Sequence, residues 1–243
     1  MRPKITCHMI TSLDGRLDPD RWTDPADGRV SELIEEHYED TAERLGGDGW
    51  IVGRRSILDH LDQDTTPDLR ETPEARPAHW ADPGDRGIAV VIDPRGRLRH
   101  TRNDIDGDHV VTLLSERVTD DCLARLRRAG VSYVFAGPDG ERLGPAMAEI
   151  GEALGSRHLI LEGGGMTNGA FLAAGLIDAT STLICPAIDG LSGVPAIYEH
   201  AGPPDSLPCE GQHLRLLSCD TLAGGVVWLR HEIVRADRAD TGV

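Results

Sequence analysis

Leu159-Ile160-Leu161-Glu162-Gly163-Gly164-Gly165-Met166-Thr167-Asn168-Gly169-Ala170-Phe171-Leu172 is the stretch on which the fold turns. Its apolar start reads as a buried strand, and three glycines lead from it directly into helical spacing. Glycines at such a junction let a ligand approach the backbone, and the free amides of a helix start favour an anion. The spacing is not G-x-G-x-x-G, so a standard Rossmann fingerprint is absent. A tightly packed turn that binds nothing has the same local pattern, and both readings stay open on these residues alone.

Outward from this stretch, short apolar runs alternate with helical segments. Ile5–Ile10, Trp50–Val52, Ile88–Ile92, Val110–Leu114, Tyr133–Ala136, His158–Leu161 and Ser181–Cys185 read as strands. Helices are expected after an N-cap at Ser31, over Asp121–Arg128, near Pro145–Leu154 and across Ala170–Ala174. Strands that are apolar on both faces and alternate with helices indicate a parallel sheet covered on two sides. The last two strands, Leu214–Cys219 and Val226–Ile233, are joined by a short connection and are expected to pair antiparallel. Residues 59–87 lack periodicity and read as a long excursion, either facing a ligand or partner or lying on the surface. With no repeat and no linker, one domain over residues 1–243 is expected.

Two further stretches carry candidate chemistry. Trp50-Ile51-Val52-Gly53-Arg54-Arg55-Ser56 ends a strand in glycine, followed by two guanidinium groups and a hydroxyl. Arginine forks suit phosphate geometry, and Ser56 can cap a helix or bond a phosphate oxygen; an ordinary solvated pair is the alternative. In Ile10-Thr11-Ser12-Leu13-Asp14-Gly15-Arg16, Asp14 either orients a ligand or starts the turn through its side chain.

Composition narrows the classes. The net charge is −16, and Lys4 is the only lysine. Such an acidic surface argues against nucleic acid as the partner and, more weakly, against anionic membranes. The five cysteines are scattered and never spaced as CxxC, so neither a disulfide framework nor a zinc site is indicated. No apolar run approaches the roughly 18 residues that span a membrane. The first residues lack a signal-type apolar region, so a cytoplasmic location is expected.

Together the three stretches resemble the pyrimidine reductase domains of the RibD C-terminal type, within the dihydrofolate-reductase-like superfamily. Ser12-Leu13-Asp14-Gly15-Arg16 is similar to their "SLDG(K/R)" start. The run from Leu161 through Gly175-Leu176-Ile177-Asp178 is similar to "VEGGPTL…FL.AGLVDEL", and Pro186 and Gly190 fit the "P…G" that follows. Gly53-Arg54-Arg55-Ser56 resembles the "GR(K/R)T" motif of dihydrofolate reductases.

The resemblance implies a three-layer αβα sandwich with a mainly parallel sheet, NADPH as hydride donor, a small-molecule substrate and a homodimer. It places the cofactor phosphates at Gly163, Gly164, Gly165, Met166, Thr167 and Asn168, and beside Gly53, Arg54, Arg55 and Ser56, with Arg54 on the 2′-phosphate. Ile10 and Thr11 line the nicotinamide by backbone, Trp22 matches a cofactor-side tryptophan, and Gly137 lies in the same strand-end crevice. Glu162 matches a substrate-contacting position, and Asp14 joins it in orienting the substrate. The family's "DDPxLxxR" is broken here, where Asp59-His60-Leu61-Asp62-Gln63-Asp64 stands, and Arg70 is a stand-in for its arginine. Gly165 replaces the usual proline. The implied reaction is reduction of a ribosyl imine on an aminopyrimidine phosphate. The alternatives are reduction of another C=N or C=C substrate and a non-catalytic nucleotide-binding module.

Overall fold

A computed structural model describes residues 1–57, 61–63 and 69–235. In chain order the elements are β1 (Lys4–Thr11), α1 (Val30–Leu45), β2 (Gly49–Gly53), β3 (Ile88–Ile92), β4 (Asp104–Ile105) and β5 (Asp108–Leu114). They continue through α2 (Asp120–Ala129), β6 (Ser132–Phe135), α3 (Leu143–Leu154), β7 (His158–Leu161), α4 (Gly165–Ala173), β8 (Ala179–Ile184), β9 (Gln212–Thr221) and β10 (Val227–Arg235).

All ten strands of the described residues join one sheet in the order β4-β5-β3-β2-β7-β1-β8-β10-β9, with β6 pairing beyond β5. From β6 to β8 the pairs are parallel, while β8–β10, β10–β9 and the short β4–β5 ladder are antiparallel. The mainly parallel sandwich expected from the alternating pattern is therefore the observed architecture. Alternate residues of each strand feed opposite faces. Ile5, Cys7 and Met9 of β1 join Ile51, Val90, Leu159 and Leu161 under Met147 and Ile150 of α3 and Phe171 of α4. The other face is covered in two separate places. Val52, Val91, Val110 and Leu114 pack with Leu123 and Leu126 of α2, while Leu183 and Trp228 pack with Val30 and Leu33 of α1.

Element ends differ from expectation where side chains satisfy backbone groups. The amide of Val30 donates to the Asp24 carboxylate at 3.0 Å and that of Arg29 to Glu32 at 3.3 Å, so α1 starts before Ser31, which lies in its first turn. α4 begins at Gly165, five residues earlier than the Ala170 start expected from the sequence. After Gly53 the chain forms a four-residue 3₁₀ turn, Arg54–Ile57. The strand expected at Val110–Leu114 is β5, but its short antiparallel partner β4 was not expected, although Asp106 (φ 51°) and Gly107 (φ 92°) form the Asp-Gly turn that marks such hairpins.

The excursion before β3 runs along the outer side of the sheet. His79 and Tyr133 exchange backbone hydrogen bonds of 3.0 and 2.9 Å, and the Arg70 amide donates to the Arg117 carbonyl at 2.8 Å. The described part of the segment thus covers the β6 edge, and of its described residues Asp85–Gly87 reach the groove described next. At the opposite edge β9 is exposed along most of its length.

Candidate active site

Parallel strands bring their carboxyl ends to one edge of the sheet, so β2, β7 and β1 deliver Gly53, Glu162 and Thr11 side by side. The fit between β2 and α4 is close. A Cβ on Gly53 would stand 2.4 Å from the Thr167 hydroxyl and 3.0 Å from the Gly163 carbonyl. Gly164 precedes α4 with φ +69° and no side-chain cap, and its nearest neighbour is the Ser56 hydroxyl, 3.4 Å from where a Cβ would be. The first-turn amides of α4 lack carbonyl partners within the helix, as at any helix start. They form a cradle beside Ser56 that suits an anionic group.

Gly165 and Gly169 do a different job. They lie four residues apart on one face of α4, where Cβ atoms would meet the Ala196 carbonyl at 2.3 Å and the Glu199 carbonyl at 1.7 Å. Asn168 is fully buried, and its side-chain amide donates to the Ile197 carbonyl at 2.9 Å. These three residues bind the 196–199 segment to the helix. Met166 is half exposed at the helix start.

The helical layer over β2 and β7 is open between α1 and α2, leaving a groove of about 960 Å³. Trp50, Val52, Ile160 and Glu162 form its sheet side, Tyr38 and Glu39 of α1 one wall, and Ser56 connects it to the cradle. Burial, and the neighbouring Glu39 charge, push the Glu162 carboxyl up to about 7. Tyr38 stacks on the His8 ring at 4.8 Å, and His8 bonds Ser181 Oγ at 2.9 Å and the Tyr38 carbonyl at 3.2 Å. Burial holds His8 down to about 4, so the ring is neutral at pH 7. The role of α1 as a groove wall was missed from sequence, because the contact is made across a tertiary gap.

A family model described as the RibD C-terminal domain matches residues 3–228. The chain belongs to that family. It is 28% identical over 198 residues to the 2,5-diamino-6-ribosylamino-4(3H)-pyrimidinone 5′-phosphate reductase of Methanothermobacter thermautotrophicus, covering 78% of this chain and 81% of that one. A pyrimidine reductase-like protein from Corynebacterium diphtheriae superposes with a TM-score of 0.66 at 17% identity, over 96% of this chain and 93% of that one. Acinetobacter baumannii RibD gives 0.62 at 20% identity, over 96% of this chain and 58% of that longer one. The fold is the dihydrofolate-reductase-like α/β arrangement of these RibD-type proteins.

Not every residue singled out in this RibD C-terminal domain reaches the cradle or the groove. Asp14 accepts bonds from the Ser12 hydroxyl at 2.7 Å and from the Gly190 and Asp189 amides at 2.9 and 3.1 Å, clamping two loops together. These bonds hold its carboxyl down to about 2. The Thr11 carbonyl accepts the Cys185 amide at 2.8 Å, while Ile10 packs at the edge of the α1 cluster. Trp22 is 7% exposed in that same cluster, its Nε1 buried without a partner. Gly137 follows β6, three strands beyond β2, about 14 Å along the sheet. Arg54 donates to Gln63, and Arg55 is exposed. Arg70 is engaged with Glu74 and Asp120 beside α2, away from the groove, so it does not replace the missing family arginine. Asp59, His60 and Asp64 lie outside the described residues.

Proposed function

We propose that this chain is an NADPH-dependent reductase of the riboflavin-pathway type, acting on the ribosyl imine of an aminopyrimidine phosphate. The observation that carries the reading is the continuity of the site. A half-buried carboxyl at the end of β7 faces the groove, and the next residues of the same strand end form the anion cradle. A dihydronicotinamide bound there would supply a hydride to the acceptor carbon of the C=N bond, with the nitrogen's proton drawn from water. The protein's part is alignment. The α4 amides and Ser56 hold phosphate, Arg54 stands on the adenosine side, and Glu162 with Tyr38 orients the acceptor on the sheet. The position of Arg70 beside α2 favours a second reading, a RibD-like reductase of another C=N or C=C substrate.

NADPH oxidation with a panel containing the aminopyrimidine ribosyl phosphates, dihydrofolate and simple cyclic imines separates these readings. Turnover of the ribosyl phosphates supports the first, and turnover of the imines alone supports the second. Arg54→Ala should weaken NADPH by about 10-fold or more while leaving NADH nearly unchanged, as loss of a charge-assisted phosphate contact requires. Equal loss for both nucleotides, measured by fluorescence titration, rejects the 2′-phosphate role. The homodimer is part of the same proposal. Leu214, Leu216 and Leu217 are each more than half exposed on the unpaired edge β9, which offers a self-complementary seam.

A further inference from the structure

We infer that His8 is a positioning residue for the acceptor: its ring ties the Tyr38–Thr41 turn of α1 to the sheet and so fixes the wall of the groove beside Glu162. This rests on the reductase reading above and concerns what holds its acceptor site at one width.

The helix that walls the groove is anchored unevenly. Its buried apolar residues, Val30 and Leu33, sit in the first turn, where they pack with Leu183 and Trp228. The buried positions of its later turns are polar, His37 and Thr41. The half that borders the groove is therefore held by polar contacts as well as by the partial burial of Tyr38 and Leu45. His37 makes one such tie away from the groove, to the Ala223 carbonyl at 3.0 Å. His8 makes the tie on β1. It is fully buried, and its Nε2 lies 3.2 Å from the Tyr38 carbonyl and 3.4 Å from Thr41 Oγ1. The Tyr38 ring stacks on the imidazole, and its hydroxyl donates to the His8 carbonyl at 3.4 Å. A bond to a main-chain carbonyl holds the helix itself, and with it the Tyr38 ring.

Which nitrogen carries the proton is set from the far side. Trp228 Nε1 can only donate, and it donates to Ser181 Oγ at 2.8 Å. Ser181 Oγ lies 2.9 Å from His8 Nδ1, so its one proton has that nitrogen as acceptor. The ring is neutral at pH 7, because burial holds it down to about 4. With Nδ1 accepting, the single N–H stands at Nε2, aimed at a carbonyl that can only accept. In the other tautomer Nε2 and the Tyr38 carbonyl would meet lone pair to lone pair, and the turn would lose its tie. Trp228, Ser181, His8 and Tyr38 thus form one directional chain from β10 through β8 and β1 to the groove wall.

The experiment uses the intact protein with NADPH and the aminopyrimidine ribosyl phosphates. His8→Gln keeps a donor where Nε2 stands, whereas His8→Asn keeps an acceptor where Nδ1 stands and cannot reach the helix. A role limited to filling the core would not separate them in this way. His8→Asn should raise the acceptor KM about 10-fold with kcat changed less than about 3-fold, and His8→Gln should return KM to within about 3-fold of the wild type. NADPH affinity, by fluorescence titration, should be the same in all three. An unchanged KM in His8→Asn, or an equal rise in both variants, overturns the inference and leaves the reductase reading standing. A wild type that binds NADPH but reduces neither ribosyl phosphate removes the pyrimidine reading, and this role with it. Independently of turnover and of how the variants fold, nitrogen-edited NMR of the wild-type imidazoles at pH 7 should find His8 protonated at Nε2 and bare at Nδ1. The opposite tautomer overturns the inference.

Discussion

At Gly169 the room a methyl group needs is already filled by the Glu199 carbonyl, and at Gly165 by that of Ala196. Packing this close leaves no cheap adjustment, because backbone rather than a flexible side chain must move. Gly169→Ala should destabilise the protein by about 2–4 kcal/mol and lower Tm by roughly 5–15 °C in scanning calorimetry. A change under about 2 °C would show that the 196–199 segment is not fastened at this point. Asp14 makes a prediction about pH. Its carboxyl is held down to about 2, chiefly by the Ser12 hydroxyl and then by the Gly190 and Asp189 amides. A depressed folded pKa contributes stability above the ordinary value near 4, and this is lost as pH falls toward 2. Asp14→Asn should therefore shift the urea midpoint downward at pH 7 and leave it unchanged near pH 2. An equal shift at both pH values would mean that packing, rather than the charge, is what the loop needs.

Among the elements, those with a strong local signal were legible and those set by distant contacts were not. β7 was read to its end residues, because three apolar positions stop at a charged residue and three glycines. The start of α1 was misplaced, since Asp24 reaches forward across six residues to accept the Val30 amide, a contact that no capping pattern at Ser31 reveals. Trp22 matched a cofactor-side position by its place after the first loop. Its burial with Leu33 and Trp228 is a product of α1 lying across β8 and β10. The exposed strand β9 carries the assembly prediction. It bulges at Leu217, where the register to β10 shifts, and offers Leu214 and Leu216 on its outer length. Leu216→Lys should convert a dimer to a monomer in light scattering, with the circular dichroism spectrum retained. A wild type that is already monomeric at high concentration would remove β9 as the seam.

For the molecule as a whole, the αβα architecture followed from alternation alone, while the groove did not, because a gap in a helical layer has no sequence motif. The net charge of −16 acts at this scale as well. Self-repulsion among so many carboxylates opposes the compact state and is screened by salt. Raising sodium chloride from about 20 mM to about 0.5 M, where the Debye length falls below 5 Å, should raise Tm by a few degrees. A fall in Tm would mean that ion pairs such as Arg2 with Asp178 outweigh the repulsion. The two ends of the sheet are finished in opposite ways: His79 and its neighbours close off β6, whereas among the described residues no strand lies beyond β9. A ribbon that can be lengthened from a single end joins one more copy and then stops. The same edge that invites association thus forbids a growing filament, and crowding this protein should yield discrete particles rather than fibres.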